Sequence, residues 1–332
     1  MKKICIVGAG AIGGFLGAKL AALDDVEVSA LARGKTLEAL RQHGWRLRTA
    51  ERTVSSPVRA SHSASELGPQ ELVIIAVKGP ALVQVAAEIA PLITEDTVVL
   101  PAMNGVPWWF AGGVEALRGK TLESVDPGGS IARAIPQRHV LGAVVHASTS
   151  TPEPGLVAHK MGNGLIVGEP EGGESARARR VAQLLCRAGF DVTLSTGIRQ
   201  DIWYKLWGNL TMNPVSAITG ATVDRVLADP LVRAFCSSAM AEASQIGARI
   251  GCAIEQSPED RHVVTAKLGA FKSSMLQDVE AGRAIELDSI VSAVRELGQH
   301  LGIQTPNIDA LLGLARLFGR VRGLYPEAEH RA

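Results

Sequence analysis

The feature that most constrains the fold lies in residues 3–17, Lys-Ile-Cys-Ile-Val-Gly-Ala-Gly-Ala-Ile-Gly-Gly-Phe-Leu-Gly. Ile4, Cys5, Ile6 and Val7 form an unbroken apolar run with β-branched residues, which suits a strand buried on both faces of a parallel sheet. The run breaks at once into Gly8, Gly10 and Gly13. That spacing has a mechanical meaning: the first glycine allows a tight turn, the second lets a pyrophosphate approach the backbone, and the third lets the next helix pack on the strand. The helix is expected to begin near Ala11 and Ile12, so that the free N–H groups of its first turn can hold phosphate. Among 35 glycines the bare motif is weak. Its context is stronger, because it follows a strand-like run and precedes the helical rhythm of Ile12, Phe15, Leu16 and Leu20.

The next strand is expected over residues 26–32 and ends in Leu31, Ala32 and Arg33. A site for NAD usually carries an acid here, about 20 residues past the glycines, to bind the ribose hydroxyls. Arg33 is suited instead to a 2′-phosphate, which favours NADP. A further buried strand over residues 72–77 delivers Lys78 to its carboxyl end, where parallel sheets bind ligands, and a phosphate contact is expected there. Asn104 follows the strand near residues 97–101 and could face a nicotinamide or a substrate, although Asn-Gly is also ordinary turn chemistry. Trp108, Trp109 and Phe110 suit either an apolar pocket wall or packing under a loop.

Residues 45–58 read as an excursion at the sheet edge, residues 172–188 as a basic amphipathic helix, and residues 190–194 as the last strand. Beyond that the pattern is helical almost throughout. The expected organisation is an α/β Rossmann-type N-terminal domain, residues 1–196, plus an all-α C-terminal domain, residues 197–332, each of ordinary size. A net charge of +1 gives no long-range field for nucleic acid or an anionic membrane. Cys5, Cys186, Cys236 and Cys252 have no metal-ligand spacing, so no metal is expected. No apolar run reaches the length of a membrane span, and a cytoplasmic location is the simplest expectation.

A second constellation occupies residues 200–214, Gln-Asp-Ile-Trp-Tyr-Lys-Leu-Trp-Gly-Asn-Leu-Thr-Met-Asn-Pro. On a helix, Lys205, Asn209 and Asn213 share one stripe beside an apolar face of Ile202, Trp203, Leu206, Trp207 and Leu210. Pro214 is expected to end or kink that helix near Asn213. A later helix is expected over residues 285–300, stopped by Gly302, which would make Glu286 a first-turn acid favoured by the helix dipole.

Taken together, Gly8 to Gly13, Lys78, Asn104-Gly105, the Trp-x-Lys-x-x-x-Asn-x-x-x-Asn-Pro run from Trp203, Ser-Ser-Met-Leu-Gln-Asp from Ser273 and Ile-Glu-Leu-Asp from Ile285 resemble the ketopantoate reductase family. The resemblance covers most of the chain. It implies NADPH-dependent reduction of a 2-oxo acid, 2-dehydropantoate in pantothenate biosynthesis, by a protein that could form a homodimer. It also implies that Lys205 is the general acid, that Glu286 lies near substrate and cofactor ribose, and that Asn209, Asn213 and Ser274 contact substrate. Val223 and Phe271 stand where two further asparagines of the family align, and Ser-Ile-Val-Ser follows Asp288 in place of Tyr-Ile-Asn-Gly. These departures imply a more apolar pocket that suits a bulkier 2-oxo acid. Two other readings fit the same pattern: a different hydroxyacid dehydrogenase of this two-domain plan, and a non-catalytic NADP-binding regulator.

Overall fold

A computed structural model describes residues 1–327. It comprises two compact units, one of Met1–Trp109 with Gly129–Asp201, the other of Phe110–Gly128 with the chain from Ile202 onward. The division expected at 196/197 places residues 110–128 in the first domain; in the structure they group with the second unit.

The first unit runs β1 (Lys3–Val7), α1 (Ala11–Leu20), β2 (Glu27–Leu31), α2 (Gly34–His43), β3 (Trp45–Arg48), β4 (Thr53–Ser56), β5 (Arg59–Ser61), α3 (Ala64–Leu67), β6 (Leu72–Ile75), α4 (Gly79–Glu88) and β7 (Val98–Pro101). It continues through α5 (Ser130–Ala134), β8 (Gly142–Glu153), β9 (Leu156–Gly168), α6 (Ala176–Arg187) and β10 (Asp191–Ser195). One sheet has the order β5-β2-β1-β6-β7, and every neighbouring pair in it is parallel. β1 is central: Ile4 is paired with Val28 on one side and Leu72 on the other, and Ile4, Cys5 and Ile6 are fully buried. The chain leaves β1 towards β2 and later returns to the opposite side with β6. The strand order therefore reverses at the carboxyl end of β1, the position at which open parallel sheets bind ligands.

The second sheet has the order β10-β9-β3-β4, with β8 paired to β9. The expected edge excursion at residues 45–58 is thus corrected: β3 and β4 belong to this other sheet, and β5 takes the edge of the first. The cause is packing at Trp45, which is 1% exposed. Its Nε1 donates to the Val28 carbonyl at 3.3 Å, and its ring fills the space left by Gly17 of α1, where a Cβ would lie 2.5 Å away. The amphipathic helix read at residues 172–188 is α6, whose first turn is capped by Ser175 Oγ accepting from Ala178 N at 3.0 Å.

The second unit is helical: α7 (Ile198–Thr219, its first turn counted with the first unit), α8 (Val223–Ala228), α9 (Pro230–Arg249), α10 (Pro258–Ala266), α11 (Ser274–Glu280), a π-turn at Asp288–Ser292, α12 (Ala293–Leu301) and α13 (Pro306–Val321). α7 does not stop at Asn213; Pro214 lies inside it. A proline there removes one backbone bond, but Met212, Val215, Ser216 and Ala217 around it are buried, and that burial outweighs the loss. Phe110 stacks on Trp203 with ring centroids 6.0 Å apart. Trp108, Trp109 and Phe110 are all buried.

Candidate functional site

The first unit supplies a turn shaped for phosphate. Gly8 closes β1 with φ +91°, a conformation costly for any residue with a Cβ, and its N–H donates to the Leu31 carbonyl at 3.0 Å. A Cβ on Gly13 would overlap the Gly8 carbonyl oxygen, so helix and turn meet there backbone to backbone. Gly10 differs: nothing lies within 4 Å of the position its Cβ would occupy. It is the N-cap of α1, with no side chain capping the helix. The N–H groups of Ala11, Ile12 and Gly13 at this helix start have no intrahelical acceptor, and the helix dipole adds positive potential. An open backbone at Gly10 and donors behind it fit a pyrophosphate.

The other expected cofactor residues surround the same strand ends. Arg33 precedes α2 and Lys78 precedes α4, each at the N-cap position. Lys78 is half-buried, whereas Arg33 is exposed and ion-paired with Glu88 near the far end of α4. Asn104 follows β7 and is half-buried.

The second unit carries a cation in an unusual setting. Lys205, Asn209 and Asn213 lie at successive turns of α7, beside the buried Trp203, Leu206, Trp207 and Leu210. Trp207 Nε1 donates to the Met240 carbonyl at 2.8 Å, which holds this face of the helix. Burial lowers the Lys205 pKa to about 8, and the nearby Glu286 carboxylate partly opposes that shift. Asn213 is 5% exposed, and its Nδ2 has no hydrogen-bond partner among the described residues. A buried amide donor left in this way costs a few kcal/mol, on the order of 1–3, unless a ligand or water accepts from it.

Ser274 is the exposed first residue of α11. Its neighbour Ser273 is the buried one: its Oγ caps the helix at Leu276 N, 3.1 Å, and is hydrogen-bonded to Ser216 Oγ of α7 at 2.6 Å. Glu286 is not in the first turn of a helix. It sits in the segment before the π-turn, between the buried Ile285 and Leu287, and the expected helix at residues 285–300 begins only at Asp288. Tertiary bonds impose this. Ile285 N donates to the Leu324 carbonyl at 3.0 Å, and the Tyr325 hydroxyl donates to Asp288 Oδ1 at 2.6 Å. Sequence reasoning missed Asp288 and Tyr325 as neighbours of the Glu286 segment; the one available signal was that the chain has only two tyrosines.

Val223 and Phe271 are joined by a 2.9 Å bond from Val223 N to the Phe271 carbonyl. Both belong to an apolar cluster with Met212, Val215 and Leu311. Among the described residues, no group of His, Cys, Asp and Glu has the arrangement of a metal site and no helix is long and apolar enough to cross a membrane.

The arrangement is matched among known proteins. Residues 4–172 match the family described as ketopantoate reductase PanE/ApbA, and residues 197–318 match ketopantoate reductase PanE/ApbA C terminal. A 2-dehydropantoate 2-reductase from Mesorhizobium japonicum is 43% identical over 97% of this chain and 99% of its own length. One from Archaeoglobus fulgidus is 30% identical over 95% and 97%. The crystal structure of a candidate ketopantoate reductase from Ralstonia solanacearum MolK2 superposes with a TM-score of 0.94 at 56% identity, covering 98% of this chain and all of the other. With both halves of the family pattern matched in order along one chain, this protein belongs to the ketopantoate reductase family.

Proposed function

We propose that the chain reduces the 2-oxo group of 2-dehydropantoate with NADPH. The observation that carries the reading is Lys205: a half-buried ammonium with a pKa near 8, beside a carboxylate and in line with two amides. Such a group is still protonated near neutral pH yet gives up its proton readily, as a general acid requires. In this reading a bound reduced nicotinamide supplies the hydride that reaches C2. Lys205 Nζ donates a hydrogen bond to the carbonyl oxygen, stabilises the negative charge that grows there and transfers its proton, so that C=O becomes CH–OH. Asn209, Asn213 and Ser274 orient the substrate; the unpartnered Nδ2 of Asn213 supports that assignment.

The Gly8–Gly13 turn with Ala11 and Ile12 takes the pyrophosphate, and Lys78 and Arg33 are assigned to phosphate. Asn104 is assigned to the nicotinamide or substrate, and Glu286 to the ribose as well as to Lys205. The Arg33–Glu88 pair is exposed and therefore weak, so exchanging Glu88 for a 2′-phosphate costs Arg33 little. A bulkier 2-oxo acid is the second reading, favoured by Val223 and Phe271. A homodimer is part of the proposal, and sedimentation tests it.

The test is NADPH consumption with 2-dehydropantoate and a panel of larger 2-oxo acids, run beside Lys205→Met. Turnover that falls by about 10²-fold or more in the mutant while NADPH still binds is expected. Unchanged turnover in Lys205→Met sinks the assignment, and cofactor binding without turnover on any acid favours the regulator.

A further inference from the structure

Glu286 lies in a segment without regular structure, yet that segment is pinned along its length. At its start, Arg283 N donates to the Asp278 carbonyl at 2.9 Å, and Arg283 Nε to Asp278 Oδ1 at 2.9 Å. In the middle, Ile285 N donates to Leu324 O at 3.0 Å. At its end, Asp288 Oδ1 accepts from the Tyr325 hydroxyl at 2.6 Å and from Ser292 Oγ at 3.2 Å. Two of these ties come from the chain just after α13. Gly319 makes them possible, because a Cβ there would lie 2.7 Å from Tyr325 Cβ and 3.0 Å from Ile285 Cδ1. The guanidinium of Arg320 lies 5.9 Å from the Tyr325 ring centre, and its Nε donates to the Pro326 carbonyl at 3.0 Å.

The π-turn belongs to the same device. Val291 N and Ser292 N both donate to the Leu287 carbonyl, at 2.7 and 3.1 Å. The helix thus opens with a wide turn just after residues 285–287, which lie outside it and are tied to Leu324 through Ile285 N. π-turns of this kind recur at functional sites because they displace a short stretch from helical register.

We propose that Tyr325 is a positioning residue for Glu286: by holding Asp288, with Leu324 holding Ile285, it fixes the carboxylate beside Lys205. The proposal rests on the reading of Lys205 as the proton donor only for its catalytic meaning. The placement itself is testable without turnover. The charged groups facing the Tyr325 hydroxyl are Asp288 and, from α13, Arg316 and Arg320; the group facing Lys205 is Glu286. Burial pulls the Lys205 pKa down and Glu286 holds it up, so a carboxylate that wanders leaves Lys205 easier to deprotonate.

The experiment is reductive methylation of lysines with ¹³C-formaldehyde, followed by titration of the Lys205 resonance, which is assigned by its loss in Lys205→Met. Wild type is expected to titrate near pH 8. Tyr325→Phe should move that midpoint to lower pH by about half a unit, and Glu286→Gln by more. Adding Tyr325→Phe to Glu286→Gln should move it no further, because the tyrosine acts only through the carboxylate. A merely structural tyrosine would lower the melting temperature and leave the midpoint in place. An unmoved midpoint in Tyr325→Phe, or an equal shift in the Glu286→Gln background, overturns the proposal. Failure of the catalytic reading appears separately, as turnover retained in Lys205→Met.

Discussion

Gly10 and Gly13 stand three residues apart in the same turn, and the structure assigns them opposite consequences on gaining a methyl group. At Gly10 the backbone is already one an L-residue adopts, φ −78°, and the added carbon meets nothing within 4 Å. Gly10→Ala should therefore fold as wild type, with stability changed by less than about 0.5 kcal/mol. The methyl would occupy the space proposed for the pyrophosphate, however. A misfit of one such group costs about 2 kcal/mol, or roughly thirtyfold in Kd for NADPH. At Gly13 the carbon falls on the Gly8 carbonyl oxygen, with Ala76 Cβ 3.0 Å away, and neither neighbour is the end of a flexible side chain. Relieving that overlap costs about 3 kcal/mol, or a fall in Tm of about 6–12 °C. Thermal melts and NADPH fluorescence titrations on both variants separate the two effects. Wild-type affinity in Gly10→Ala would refute the phosphate assignment, and a wild-type melt in Gly13→Ala would refute the packing argument.

Three further outcomes are expected. The reduction rate should decline as pH rises through about 8, where Lys205 loses its proton, and Glu286→Gln should move that decline to lower pH because the carboxylate raises the lysine's pKa; stopped-flow rates across pH 6–10 check both. Glu242→Ala should destabilise the protein by about 2–3 kcal/mol in denaturant titrations. Its buried carboxylate accepts from Asn307 N at 2.9 Å, Ile308 N at 3.0 Å and Asn307 Nδ2 at 2.6 Å at the start of α13. Arg33→Ser should weaken NADPH about tenfold and NADH little, whereas Glu88→Gln, which frees Arg33 from its ion pair, should tighten NADPH slightly; titration with both cofactors decides.

What could be read ahead of the structure follows the range of the forces involved. The β1 turn was legible because strand, glycines and helix are contiguous and each constrains the next. The stripe of Lys205, Asn209 and Asn213 was legible because helical period alone sets it. By contrast, β3 is paired through Leu47 with Val157, and no local pattern near Trp45 points to a partner so distant in the chain. Pro214 is a sound local stop signal that burial on both sides overrides. Glu286 was read as a helix-start acid because residues 285–300 have helical rhythm; the bonds that hold its segment out of the helix come from Leu324 and Tyr325. Periodicity placed Lys205 beside an apolar face, but not next to Glu286, and only the family resemblance gave it a catalytic role.

The grouping of residues 110–128 with the helical unit has a consequence for synthesis. A ribosome completes this segment, then all of residues 129–201, before the helices it packs with exist. Leu117 and Leu122 are buried in the finished protein, so they emerge as apolar surface that must wait or be shielded. Their eventual anchor is Glu296 on α12, whose carboxylate accepts from Glu123 N at 2.6 Å and Ser124 N at 3.0 Å. A fragment that starts at residue 197 would leave that carboxylate without these donors and the helices without their covering loop. The second unit is thus one body in structure but two segments in sequence, and a gene split at the helical boundary would supply only the longer of them.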